Sequence, residues 1–301
     1  MMRSKTEIKN PPILSAIVPI TQMHGRLGPL VKWAKEAVDH NVQVILVHDW
    51  RDDKTEQELR LISKKLGQPK QDFISGRYGS PGSARNVGLK IAKGKWITFW
   101  DSDDLPNVKN FLEMVNNADQ SNFEVAIGSF SYFTLNDKGI DEKLTNPRTV
   151  DPSDLVGILR NPGLWRWAFR REILRDVSFS KNKMGEDQQY LIEINAFKRQ
   201  KYFYKKIVYL YRVNQQFQLT NNPIAVSELR NTISEITTII DGSYDFVSCY
   251  LLVRMNLTSL TNGGVFKNLR SLSTLFSTLR ASGFTTSINV LRHIFFIRKV
   301  K

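Results

Sequence analysis

Through the first half of the chain, short blocks of consecutive apolar residues alternate with longer stretches in which apolar positions recur every three or four residues. The blocks predict buried strands and the stretches predict amphipathic helices. In order they give a strand at Ile13–Ile20, a helix at Pro29–His40 with Pro29 near its start, a strand at Val42–Val47 and a helix at Lys54–Leu66. Ser83 is placed to cap a helix running to about Lys93, with Ala84, Val87, Gly88, Ile91 and Ala92 on one face. A strand at Trp96–Trp100, a helix at Val108–Val115 and a strand at Phe123–Phe130 follow. This alternation predicts an α/β fold with a doubly wound, mostly parallel sheet. Ligands of such sheets bind beyond the C-terminal ends of the strands.

From about Tyr132 the pattern changes. Asn136–Gly139 reads as a turn and Leu164–Phe169 is rich in aromatic residues. Gly185-Glu186-Asp187 opens a helix to about Phe197, and Ile207–Tyr211 is a strand. After Gln215–Gln218 the pattern is helical. Val265, Leu269, Leu272, Phe276 and Leu279 keep helical spacing, as do Phe284, Ile288, Leu291 and Phe295, with basic residues off each stripe. These predict two basic amphipathic helices, which either pack on the domain or lie on an anionic membrane surface.

Charge sharpens that reading. The chain of 301 residues carries a formal net charge of +14, which suits an anionic partner. Asp245 is the last acidic residue, and eight basic residues follow it from Arg254 to Lys301. The single cysteine, Cys249, excludes an intrachain disulfide and a cysteine-rich zinc site. His24, His40, His48 and His293 lack metal-ligand spacing. No apolar run is long enough to span a bilayer, and residues 1–12 show no signal-peptide pattern.

The strongest chemical signal is Trp96-Ile97-Thr98-Phe99-Trp100-Asp101-Ser102-Asp103-Asp104, a buried strand ending in three carboxylates. Three acids at a strand end repel one another unless a cation lies among them. Either the acids form a solvated loop that caps the next helix, or a hard divalent ion, with phosphate oxygens completing its shell, lies among them. Asp187 is a second acid of interest. Leu191 and Ile194 lie on its helical stripe, so it sits in line with an apolar face at a helix start, either as a first-turn acid complementing the helix dipole or as a general base reaching a cleft. Asp49, after the second strand, is either a strand-end turn residue or an acceptor for a nucleotide base or ribose. Arg85 and Asn86, near a helix N-terminus, are either solvated polar residues or face an anion. Trp165 and Trp167 flank Arg166. On a strand their indoles would share a face, as core or as a platform for a sugar or lipid acceptor.

Together these segments resemble the family 2 glycosyltransferases, which bind nucleotide sugars on a GT-A fold. The resemblance lies in Val18-Pro19-Ile20-Thr21, Val47-His48-Asp49, Gly82-Ser83-Ala84-Arg85-Asn86-Val87-Gly88, Ala92-Lys93-Gly94-Lys95 running into the acid-ended strand, and Gly185-Glu186-Asp187. It covers about Leu14 to Val213. It implies that Asp101 and Asp103 form the Asp-x-Asp element, that Mg²⁺ or Mn²⁺ sits chiefly on Asp103, and that Asp187 is the catalytic base. Thr21, Asp49 and Arg85 would join the two acids in binding the donor. Trp165, Trp167 and Glu186 would meet a glycan or lipid-linked acceptor.

Three departures stand out. His48 replaces a common second acid, Gln22-Met23 replaces a common aromatic-Asn pair, and the Gln/Arg-x-x-Arg-Trp element of processive synthases is missing. One sugar per encounter is therefore expected. The implied enzyme is inverting, acts in surface polysaccharide or glycolipid assembly, and is cytoplasmic or peripheral on the inner face of a membrane. A catalytic domain over residues 1–213 would hold nucleotide-sugar binding at about 13–131 and acceptor binding at about 132–213, with a basic helical region at 214–301. The alternatives are a metal-dependent nucleotidyltransferase, for which His24-Gly25-Arg26-Leu27-Gly28 is a weak phosphate loop, and a non-catalytic nucleic-acid-binding protein. The latter shows no recognised motif, and its acid cluster would repel phosphate unless a metal ion lay between them.

Overall fold

The computed structural model describes residues 11–22, 27–49, 51–67, 71–136, 139–148, 154–213, 223–263 and 269–295. Strands β1 (Leu14–Ile20), β2 (Gln43–Asp49), β3 (Gln71–Gly76) and β4 (Trp96–Phe99) run parallel in the order β3-β2-β1-β4. Helices α1 (Leu27–Asp39), α2 (Asp53–Leu66) and α3 (Pro81–Ile91) connect them. Both faces of β1 and β2 are covered, which is why their sequences are continuous apolar blocks. Ala16, Val18, Val44 and Leu46 face α1 and α2, whereas Ile17, Ile45 and Val47 face α3.

Beyond β4 the sheet turns mixed. It continues through β8 (Trp167–Arg170), β6 (Val125–Asn136), β9 (Lys201–Arg212) and β5 (Leu105–Pro106), with β7 (Gly139–Arg148) paired to β6. Strands β6 and β9 are parallel, and the pairings of β4 with β8, β8 with β6, and β5 with β9 are antiparallel. Because β6 runs through residues 131 and 132, the donor and acceptor parts expected from the sequence share one sheet. Helix α4 (Val108–Gln120) covers the α1 face, and α5 (Leu155–Arg160) and α6 (Glu186–Glu193) cover the other. Helices α7 (Pro223–Ile240), α8 (Phe246–Gly263), α9 (Leu269–Ala281) and α10 (Phe284–Phe295) complete the described chain. Cys249, Tyr250 and Leu251 of α8 and Val290 and Ile294 of α10 enter the second core.

Several elements differ from expectation. Strand β3 has no apolar block to signal it, because its mixed sequence and half-buried side chains suit a sheet edge. Helix α3 starts at Pro81 with Ser80, not Ser83, as its cap: Ser80 Oγ accepts from Ser83 N at 3.2 Å. Arg85 and Asn86 thus lie beyond the first turn. Helix α4 runs five residues further than its pattern suggested, and α6 stops at Glu193, just before Asn195 turns to a left-handed φ of 55°. The expected phosphate loop at His24–Gly28 lies partly outside the described residues.

Candidate active site

The three acids after β4 have three different surroundings. Asp104 is 1% exposed and accepts from Arg212 N at 2.7 Å, and burial pushes its pKa well above the usual carboxylate range. It fastens the loop to β9 and does not face a ligand. Asp101 N donates to the Tyr209 hydroxyl at 2.9 Å, a second tie to β9. Asp101 and Asp103 line a cleft of about 490 Å³ at the C-terminal ends of β1, β2 and β4.

Arg85 crosses beneath this loop. Its Nη1 donates to Glu186 Oε1 at 2.7 Å and its Nη2 to Asp101 Oδ1 at 3.2 Å, and its guanidinium lies 5.5 Å from the centre of the Phe179 ring. Burial opposes its charge, but Glu186, Asp101 and Asp187 outweigh that, so its pKa is raised and it stays cationic. The close approach needs Gly82. A Cβ there would lie 2.5 Å from Ser180 O and 3.3 Å from Glu186 Cγ. Asn86 fixes the same loop by pairing with Phe179, donating to its carbonyl at 2.9 Å and accepting from its N–H at 2.8 Å. Asn86 therefore braces backbone, where the sequence suggested an anion contact.

Asp187 opens on the cleft from the first turn of α6, and its Oδ1 accepts from Gln188 N at 2.8 Å. Gly185 sets this entry with φ of 82°, and a Cβ there would meet Leu229 and Thr232 of α7 at 3.0 and 3.1 Å. Glu186, expected at the acceptor, is 7% exposed and bound to Arg85. Its place in the brace follows from the buried guanidinium, which needs a carboxylate partner.

On the other side, Asp49 is 4% exposed and its carboxylate accepts from Tyr78 N at 2.7 Å and Gly79 N at 3.0 Å. It thereby shapes a side recess it shares with Arg51 and Arg77, neither of which the sequence reading singled out. Thr21 is exposed at the cleft edge after β1. His48 is fully buried, with Nδ1 3.2 Å from Ser75 Oγ, and burial lowers its pKa. Its departure from the family pattern sits behind the recess, not in it.

The two tryptophans separate. Trp165 lies in a single 3₁₀ turn, Leu164–Arg166, whereas Trp167 begins β8, so their side chains fall on opposite faces of the sheet. Trp167 is 0% exposed and packs with Phe169 and Phe197, so it offers no surface to an acceptor. Trp165 lines the cleft and stacks on Tyr209 at 4.6 Å and Tyr211 at 5.3 Å, and Tyr211 is a cleft wall the sequence reading missed. Arg254 also reaches the cleft, from α8. Its signal was available: it is the one charged residue between Phe246 and Leu260.

Five carboxyl groups, Asp49, Asp101, Asp103, Glu186 and Asp187, line this cleft beside four basic side chains, Arg51, Arg85, Lys183 and Arg254. Burial pushes Asp101 up to about 6 and Glu186 up to about 7, against the pull of Arg85, and burial raises Asp187 as well. Among the described residues no three His, Cys, Asp or Glu side chains are placed to hold a metal ion by themselves. Two hard carboxylates, Asp101 and Asp103, beside excess negative charge still suit a magnesium-type ion, which takes one or two protein carboxylates and completes its shell with phosphate and water.

The family model described as Glycosyl transferase family 2 matches residues 15–178. The minor teichoic acid biosynthesis protein GgaB of Bacillus subtilis (strain 168) is 29% identical over 184 residues, 58% of this chain but 20% of that protein. The chain therefore spans only a fraction of that relative's length. Among solved structures, S. aureus TarS 1–349 in complex with UDP-GlcNAc superposes with a TM-score of 0.62 at 20% identity, covering 91% of this chain and 82% of that one. The mannosyltransferase PcManGT from Pyrobaculum calidifontis, in complex with GDP-Man and Mn²⁺, gives 0.56 at 15% identity over 97% and 82%. These likenesses show a GT-A-type fold, with its sheet parallel on the β1–β4 side and mixed beyond.

Proposed function

The chain belongs to glycosyl transferase family 2, and from that premise we propose an inverting enzyme that moves one sugar from a nucleotide-sugar donor to an acceptor hydroxyl. One observation carries the reading. Asp101 and Asp103, after β4, and Asp187, at the start of α6, open on the same cleft although they are far apart in sequence. One group can serve the leaving diphosphate while the other serves the attacking hydroxyl.

The donor base would occupy the recess shaped by Asp49, and its diphosphate would run past Thr21 toward Asp101 and Asp103. Those two acids would hold Mg²⁺ or Mn²⁺, which when bound neutralises charge on the diphosphate. Arg85 keeps the Asp101 carboxylate oriented through its 3.2 Å contact. The acceptor hydroxyl oxygen attacks the anomeric carbon from the face opposite the diphosphate. The bond from that carbon to the diphosphate oxygen breaks, its electron pair leaves with the nucleotide, and Asp187 takes the hydroxyl proton. Burial raises the basicity of Asp187, which suits this task near neutral pH. The stacked Trp165 and Tyr211 offer an aromatic wall to an acceptor sugar ring.

A surface glycan or lipid-linked acceptor fits the names of the relatives and the basic helices, and the protein would then work peripherally at the cytoplasmic face of a membrane. A nucleotidyltransferase has lost its support, since the matched family transfers glycosyl groups. The deciding experiment is a thermal-shift screen of UDP, GDP and their sugars with and without Mn²⁺, followed by product analysis. A ligand that binds the folded state alone raises the melting temperature. Stabilisation by a nucleoside diphosphate, and its release on turnover, support the reading. Release of inorganic diphosphate instead would overturn it.

A further inference from the structure

Helix α10 carries two apolar stripes. Val290 and Ile294 are 0% and 8% exposed and pack into the core beside α8. Phe284, Ile288 and Phe295 are 82%, 47% and 49% exposed. At 3.6 residues per turn these three fall within about 40° of one another, roughly a third of a turn from the buried pair. Phe276 on the preceding helix, α9, is 69% exposed. Among the described residues only Leu61 and Ile239 are other large apolar side chains exposed to this degree, each on a different helix. Isolated exposed apolar residues need no explanation, but three on one stripe of α10, with a fourth on the helix packed against it, mark an interaction surface. The buried stripe already seats α10 on the protein, so folding does not account for the second.

The charge that the described parts of α9 and α10 themselves carry has one sign. Arg280 in the last turn of α9 and Arg292 on α10 are exposed, and no acidic residue follows Asp245 anywhere in the chain. On the helical wheel Arg292 borders the exposed stripe on the side away from the core. A copy of the same chain would bring like charge against like. An anionic bilayer surface brings the opposite charge, and aromatic side chains lying in the plane of the interface suit its apolar boundary. No described helix is long and apolar enough to cross a membrane. We propose that the ridge of Phe276, Phe284, Ile288 and Phe295 docks α9 and α10 flat on an anionic lipid surface, with Arg280 and Arg292 against the headgroups. Helix α8 packs under both helices and sends Arg254 into the cleft, so the ridge lies one helical layer from the site. The inference rests on the proposed glycosyl transfer only for the acceptor to which docking would bring the cleft.

The test uses the full chain in co-sedimentation with vesicles of phosphatidylcholine alone and of phosphatidylcholine mixed with phosphatidylglycerol. Two variants accompany it: F284S/I288S/F295S, and R280Q/R292Q. Thermal shift with UDP and GDP is run on all three proteins. The expected result is binding to the anionic vesicles at low salt, weakened tenfold or more by high salt and by either variant, with nucleotide responses unchanged. Equal binding to both vesicle types, or anionic binding that the triple variant leaves intact, overturns the proposal. So does a soluble dimer, seen by light scattering, that ignores vesicles and dissociates in the triple variant, since the ridge would then join two copies. Lost nucleotide binding with retained vesicle binding would remove the transferase reading and leave this one standing.

Discussion

Arg85 and Glu186, which are 101 positions apart, meet at 2.7 Å with side chains only 8% and 9% exposed. The pair joins α3 to α6, and through Asp101 it reaches the loop after β4. Truncating one partner of such a pair leaves the other charge buried and uncompensated, at a cost of about 3–5 kcal/mol. Arg85→Ala should therefore lower stability on that scale in urea unfolding, and turnover should be lost even where the protein remains folded. A loss under 1 kcal/mol would mean that water replaces the guanidinium and that the brace is weak.

The same cluster sets a pH dependence. With Asp101 near 6 and Glu186 near 7, the folded chain keeps protons that the unfolded chain releases at ordinary carboxylate pKa values of about 4. Raised carboxylate pKa values make stability greatest at the acid end of that window and lower it as pH rises toward 7. Melting temperature without metal should thus fall between about pH 4 and 7, and Mn²⁺ should restore more of it at the upper end. Asp101→Asn with Glu186→Gln should flatten the slope. An unchanged slope in that variant would move the titration elsewhere.

Much of this arrangement was legible in the sequence, and for stated reasons. Apolar blocks located β1, β2 and β4 because strands covered on both faces need no polar positions, and Asp101, Asp103 and Asp187 stood out because acids next to buried segments are costly. What stayed hidden depends on pairing across long separations. Nothing local says that Asp104 turns inward to Arg212 N, or that Glu186 faces Arg85. Strand alternation alone puts Trp165 and Trp167 on one face, and a single 3₁₀ turn breaks that register.

Asp103 and Asp187 should fail in different ways. Asp103→Asn keeps the shape of the side chain but loses the charge suited to a hard cation, so nucleotide binding should lose its dependence on Mn²⁺ and activity should nearly vanish. Asp187→Asn should leave donor binding largely intact and cut turnover by about 10²-fold or more, the usual scale for a lost general base. Calorimetry of donor binding beside a turnover assay separates them. Full turnover in either variant removes that residue from its role.

The tryptophans make a paired control. Trp167 is fully buried between Phe169 and Phe197, so Trp167→Ala should cost about 3–5 kcal/mol of stability. Trp165 also borders the cleft, so Trp165→Phe, which keeps an aromatic ring, should raise the acceptor KM with little change in donor affinity. An acceptor KM that responds to Trp167→Phe but not to Trp165→Phe would reverse the assignment.

Arg254 tests whether the C-terminal helices belong to the site. Its Nη1 donates to the carbonyls of Leu159 and Arg160 at 2.7 and 2.6 Å, fixing the last turn of α5, from which the Asn161–Trp165 wall continues. Burial raises the Asp187 pKa, and Arg254, with Arg85, holds it back. Arg254→Met removes both the tie and the charge, whereas Arg254→Lys keeps the charge but replaces the rigid, planar Nη1 that serves two carbonyls with a shorter, flexible ammonium. Melting temperature should fall in both variants. If Asp187 is the proposed general base, the acid limb of the kcat profile should move to higher pH in Arg254→Met and stay near its original place in Arg254→Lys. A limb that stays put in both, with melting lowered in both, would make Arg254 a strut for α5 and nothing more.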